Sequence, residues 1–208
     1  LGTVCTFKPK HLALPAAEQM VVQAKQGRAI FGVDMKIIDA DGKALPHDGK
    51  ASGELLVKGP WIVSQYFKGE GGDPLVDGWF PTGDVGTIDA DGYLQITDRS
   101  KDVIKSGGEW ISSIDIENIA VAHPAVAMAA CIALPHPKWD ERPLLVVVKK
   151  PGTELTREQM LQFFEGKIAK WWTPDDVAFV EAIPLGATGK MQKNKLREMF
   201  KDHKLPTA

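Results

Sequence analysis

The sequence predicts an α+β protein in two parts, β-rich over residues 1–98 and mixed helix and strand over 102–208. Three observations predict this. The first part consists largely of short β-forming runs closed by Asp-Gly or Gly-Pro turns. The second part holds two helix-capping pairs among three apolar strand-like runs. Between them, Asp98 to Ser112 crowds charged residues and a Gly-Gly pair around Val103, Ile104, Trp110 and Ile111. A buried strand does not carry so many charges and a plain linker does not carry those apolar groups. The stretch reads as a junction that also touches ligand, or as an ordinary charged hairpin.

The elements follow in chain order. Leu1 to Phe7 is strand-like from the first residue, which suggests a fragment of a longer chain. Ala16–Lys25 is a short helix rich in Ala, Gln and Glu. Val33 to Asp39 and Gly53 to Lys58 are strands, ended by Asp41-Gly42 and Gly59-Pro60. Val85 to Asp89 and Tyr93 to Thr97 flank Ala90-Asp91-Gly92 as a hairpin. After the junction, Ser112 and Asp115 cap a helix with Ile116, Ile119 and Ala120 on one face, ended by His123-Pro124. Val126 to Ala133, Leu144 to Val148 and Val177 to Ile183 are the three strands. Thr156 and Gln159 form a capping box ahead of Leu161, Phe164 and Ile168. Leu196, Met199 and Phe200 mark a last helix, with Lys195, Arg197 and Lys201 on its wet side. Residues 102–203 are enough for a core of their own.

Composition narrows the function. Hydrophobic residues at 44% and charged residues at 25% are those of a globular protein. A net charge of −2 gives no general hold on nucleic acid. No apolar run reaches membrane-spanning length. Cys5 and Cys131 lack metal-ligand spacing and read as free thiols in a reducing compartment, so a cytoplasmic location is expected.

Few residues look chemical. Asp84, in Phe80-Pro81-Thr82-Gly83-Asp84, stands at a strand entrance, where a carboxylate either caps a turn or accepts two hydrogen bonds from a vicinal diol such as ribose. Pro184 to Lys190 is a glycine loop ending in lysine. It departs from a P-loop at Pro184 and Met191, yet Lys190 either rests in solvent or delivers a compact positive charge to a phosphate. Asp-Ala-Asp-Gly occurs at 39–42 and 89–92, with the glycine too early for a calcium loop, so both copies read as turns. His123 and His136 read as structural or exposed, and Trp171 and Trp172 as core.

Taken together, Phe80 to Asp84, Asp98 to Asp102, Lys105-Ser106-Gly107-Gly108-Glu109-Trp110-Ile111-Ser112 and Gly189-Lys190 resemble, in order and spacing, the adenylate-forming superfamily of acyl-CoA synthetases, luciferase-like enzymes and peptide-synthetase adenylation domains. Gly-Gly-Glu-Trp-Ile-Ser, with Pro135 to Trp139, is most similar to the medium- and long-chain fatty acid ligases. The resemblance implies that 1–98 is the β-rich end of a large AMP-binding N-terminal domain. It makes 99–101 a hinge and 102–208 the small C-terminal domain, a three-stranded sheet with flanking helices. It implies that Asp84 holds the ribose of ATP, that Arg99 is a second nucleotide contact and that Lys101 is the pivot. Gly107 and Gly108 would line the pantetheine channel, Trp110 would lie near the acyl tunnel, and Lys190 would serve adenylation; no metal ligand is assigned.

The implied reaction joins a carboxylic acid to ATP, with Mg2+, as acyl-AMP and pyrophosphate, then passes the acyl group to CoA after the C-terminal domain rotates. The family's phosphate loop and adenine segment are absent, so the 208 residues alone are expected to be inactive without a missing N-terminal domain. No nucleic acid or membrane partner is expected, and a homo-oligomer stays open. Two other readings remain: a stand-alone non-catalytic binding module, and an adenylate-forming ligase for an aryl or amino acid.

Overall fold

The computed structural model describes residues 2–208. The chain divides into two compact units, residues 1–101 and 102–208.

In the first unit, β1 (Thr3–Val4) pairs antiparallel with β2 (Arg28–Ala29), around α1 (Pro9–Leu12) and α2 (Ala16–Gln23). The strand expected over Leu1–Phe7 starts outside the described residues and pairs only at Thr3 and Val4. Next come β3 (Asp34–Ile38), β4 (Gly53–Lys58), β5 (Phe80–Ile88) and β6 (Leu94–Arg99), an antiparallel sheet in that order. Ile37, Leu55, Val57, Ile88 and Leu94 form its core. Strand β5 starts five residues earlier than Val85, because Phe80 and Pro81 pair with Val57 and Leu56. The apolar face beside Met35, Val57, Trp61 and Phe80 leaves a recess of about 280 Å³.

Both Asp-Ala-Asp-Gly copies fold as the same turn. Asp39 Oδ1 accepts the N–H groups of Asp41 and Lys43, and Asp89 Oδ1 those of Asp91 and Tyr93. The second copy also anchors the chain start. Lys8 and Lys10 reach the Asp91 carboxylate at 3.0 and 2.5 Å, and the buried His11 lies 3.7 Å from it. The hydrogen bonds from Lys10 and Lys8 hold the Asp91 carboxyl at about 2, below its ordinary 3.8.

The second unit opens with a hairpin, β7 (Ile104–Ser106) and β8 (Glu109–Ile111), turned by Gly107-Gly108. The junction is therefore a hairpin, and its charges are not all on the surface. Asp98 is buried and accepts the Arg99 N–H at 2.7 Å, while the buried Asp102 pairs with Arg197. Helix α3 (Ser113–Val121) is capped as read, with Ser112 Oγ accepting from Asp115 N–H. Strands β9 (Val126–His136) and β10 (Asp140–Lys149) form a long antiparallel pair. Helix α4 (Arg157–Phe163) starts with the Thr156–Gln159 capping box. Strand β11 (Asp176–Phe179) runs parallel to β10, and α5 (Lys193–Met199) closes the unit.

The three expected strands are present, and β7 and β8 extend the sheet to five. Asp140 in β10 pairs with Ser106 in β7, which recruits the hairpin. Helices α3 and α4 cover one apolar cluster with Ile116, Met160 and Phe164, and α5 contributes Leu196 to a second. Each such fully buried side chain stabilises by about 1.5–3 kcal/mol. Other readings change. Trp171 is 44% exposed, not core. Met199 is exposed and Arg197 is ion-paired instead of solvated, so α5 is turned from the orientation its apolar spacing suggested. His136 takes the structural of its two readings: it is buried, its Nδ1 accepting from Lys138 and Trp139 N–H.

Candidate functional site

The residues singled out from sequence fall in both units. In the first, Asp84 and Arg99 are direct partners across β5 and β6. The Arg99 Nε lies 3.1 Å from Asp84 Oδ1. Thr82 prepares this arrangement: its Oγ1 donates to the Leu55 carbonyl and accepts the Asp84 N–H at 3.1 Å. Ser100 N–H donates to the Gly83 carbonyl, closing the end of the ladder. The Arg99 side chain is 54% exposed and that of Asp84 24%. The carboxylate therefore has a free edge for hydroxyl donors, with a cation alongside it. Lys101 is the last residue of this unit.

In the second unit, Gly107 and Gly108 form the hairpin tip with φ of 59° and 85°, conformations side-chain-bearing residues rarely adopt. A Cβ on Gly107 would sit 2.8 Å from Cε3 of Trp139, whereas a Cβ on Gly108 would meet nothing. Gly107 N–H also donates to the Trp139 carbonyl at 2.9 Å. Gly107 is thus required by Trp139, and Gly108 is the open member of the pair. Trp110 is half-buried opposite Lys105, whose Nζ stands 5.6 Å from the ring centre.

Lys190 occupies a separate loop of the same unit. Its backbone is tied: Gly186 N–H donates to the Lys190 carbonyl, Gln192 N–H to the Pro184 carbonyl, and Leu185 bridges Met191. Its side chain is exposed, with no hydrogen-bond or ion-pair partner among the described residues. A fixed backbone with an unspent ammonium suits a charge presented to an anionic ligand. Among the described residues no group of three or more His, Cys, Asp or Glu is placed to hold a metal ion. No described helix is long and apolar enough to cross a membrane.

Residues 115–190 match the family described as AMP-binding enzyme C-terminal domain. That stretch belongs to this family, and the chain is similar to CoA ligases. A 3-methylmercaptopropionyl-CoA ligase of Ruegeria lacuscaerulensis is 58% identical over 97% of this chain and 38% of the relative. A medium-chain-fatty-acid–CoA ligase of Ectopseudomonas oleovorans is 48% identical over 97% of this chain and 37% of the relative. The crystal structure of ATP-bound MatB from Rhodopseudomonas palustris aligns with a TM-score of 0.74 at 36% identity, over 86% of this chain and 36% of that one. The chain thus spans well under half the length of the curated relatives it matches.

Two ion pairs that the sequence did not flag tie α5 to the rest of its unit: Lys193 with Glu117 and Arg197 with Asp102. Lys193 and Ser113 are 80 residues apart, and Arg197 and Asp102 are 95 apart. The only local signal is a lysine at the first position of a helix, where a cation is unfavourable.

Proposed function

We propose that this chain is the C-terminal part of an AMP-forming acid–thiol ligase that activates a fatty-type aliphatic carboxylic acid. The observation that carries this is Lys190: an exposed, unpaired ammonium on a hydrogen-bonded turn, in a chain with acyl-CoA ligase relatives. Asp84 accepts the two ribose hydroxyls of ATP, and Arg99 holds the Asp84 carboxylate in the orientation that receives them.

In the first step a substrate carboxylate oxygen attacks the α-phosphorus and pyrophosphate leaves. Lys190 neutralises negative charge as it develops on the α-phosphate. In the second, the CoA thiol gives up its proton and attacks the acyl carbon, and AMP leaves. The second unit turns about Lys101 between steps, withdrawing Lys190 and presenting Gly107-Gly108 to the pantetheine arm. Mg2+ would enter with the triphosphate and offset its negative charge.

The test is pyrophosphate release with ATP, magnesium and a panel of fatty acids, on the full-length protein beside the 208-residue chain. Acid-dependent release by the longer protein, lost in Lys190→Ala, supports the reading. Release by the short chain alone would show a complete nucleotide site and overturn the division of roles. A second substrate reading, a short thioether acid such as 3-methylmercaptopropionate, is favoured by the greater identity to the Ruegeria ligase, 58% against 48%. Including that acid in the panel separates the two.

A further inference from the structure

Helix α5 begins against local preference. Lys193 is its first residue, where the unpaired N–H groups and the helix dipole disfavour a cation. Gln192 supplies no side-chain cap, and the first turn holds no acid. The charge is met by tertiary partners instead. Lys193 Nζ lies 2.6 Å from Glu117 Oε1 and 2.6 Å from Ser113 Oγ, and both charged side chains are only 10% exposed. The same Glu117 oxygen accepts the Cys131 N–H of β9 at 2.8 Å.

One carboxylate on α3 therefore joins a helix, a strand and the start of α5. One turn further along the same face, Arg197 donates to Asp102 at 2.7 Å, so α5 is held at both ends. The turn carrying Lys190 closes at Gln192, the residue immediately before this anchor.

We infer that Glu117 is a positioning residue for Lys190. By clamping Lys193 it fixes the start of α5, and with it the turn from which the Lys190 ammonium is presented. This rests on the adenylation role given to Lys190 above. A long flexible side chain reaches a reacting phosphate reproducibly only from a fixed backbone, and a misplacement of about 1 Å costs on the order of 10²-fold in rate.

Two variants test this. Glu117→Gln keeps an acceptor for Cys131 but removes the charge that holds Lys193. The double variant Glu117→Gln with Lys193→Met also removes the stranded cation, so the region stays packed if the single variant does not. On the 208-residue chain, hydrogen–deuterium exchange is expected to rise over residues 184–192 while β9 and β10 keep their protection. Unchanged exchange over 184–192, or lost protection through the whole sheet in both variants, overturns the inference.

On the full-length protein, acyl-AMP formation is expected to fall by roughly 10- to 100-fold. Thioester formation from supplied acyl-AMP is expected to hold its rate. A merely structural role lowers both half-reactions together, and that result overturns the inference, as does no loss in either. If the unsubstituted protein forms no acyl-AMP, the functional reading fails instead. The exchange measurement then decides the positioning by itself.

Discussion

Arg99 and Asp84 face each other across adjacent strands, Nε to Oδ1 at 3.1 Å, with the arginine side chain more than half exposed. A pair this open contributes little to folding, about 0–1 kcal/mol. The role proposed for it is to aim the carboxylate. Arg99→Ala is therefore expected to leave urea unfolding of the 208-residue chain within about 1 kcal/mol of the parent. In the full-length protein the same change is expected to raise the KM for ATP. Equal ATP kinetics in variant and parent would remove Arg99 from the nucleotide site.

Lys190 separates activity from stability more sharply. Lys190→Ala is expected to lower acyl-AMP formation by on the order of 10²–10³. Because the side chain is exposed and has no partner among the described residues, stability should change by no more than about 0.5 kcal/mol. A stopped assay for acyl-AMP beside a thermal melt reads both. Normal adenylation by this variant would end the role given to Lys190.

The two glycines of the hairpin tip differ in what surrounds them. Gly108→Ala meets open space and is opposed only by its backbone conformation, about 1–2 kcal/mol. Gly107→Ala meets the same opposition and also drives a methyl group into the Trp139 ring. It is expected to destabilise more and to shift Trp139 emission, which the Gly108 variant leaves in place. Equal effects would mean the Trp139 contact does not constrain the tip.

Acid should loosen the start of the first unit. The Asp91 carboxyl is lowered from 3.8 to about 2, first by the hydrogen bond from Lys10 and then by that from Lys8. A lowered folded-state value stabilises fully above the unfolded value and fades as pH falls through the folded one. The contribution is thus complete above pH 3.8 and lost as pH falls through about 2. Asp91→Asn is expected to remove this part of the acid sensitivity, read as the pH dependence of the thermal midpoint. An unchanged profile would show that the lysine contacts do not matter to folding.

Much of the fold could be read because its signals are local. The Thr156–Gln159 and Ser112–Asp115 caps and the two Asp-Gly turns are set by residues a few positions apart, and the structure shows each one. The start of β5 is not legible locally, because the pairing of Phe80 with Val57 and of Pro81 with Leu56 spans residues distant in sequence. At the junction the sequence leaves an ordinary charged hairpin open beside a ligand-touching junction. The hairpin's membership in the sheet depends on one bridge to Asp140.

The candidate site divides in the same way. Asp84, Arg99 and Lys190 stand in short recognisable motifs. The ion pairs that hold α5 join residues from opposite ends of the second unit, and no spacing rule connects them. The apolar spacing of Leu196, Met199 and Phe200 puts Arg197 in solvent, whereas the buried carboxylate of Asp102 draws it inward.

The twin Asp-Ala-Asp-Gly turns also set different rates of chemical ageing. An aspartate before glycine rearranges to isoaspartate when the glycine nitrogen attacks its side-chain carboxyl, which is most reactive when protonated. In both turns that nitrogen is engaged, Gly42 with the Asp39 carbonyl and Gly92 with that of Asp89. The carboxyls differ. Asp91 is gripped by two lysines and kept ionised, whereas Asp41 lies exposed. Stored protein should therefore accumulate isoaspartate at Asp41 well before Asp91, two identical tetrapeptides marking time at different speeds.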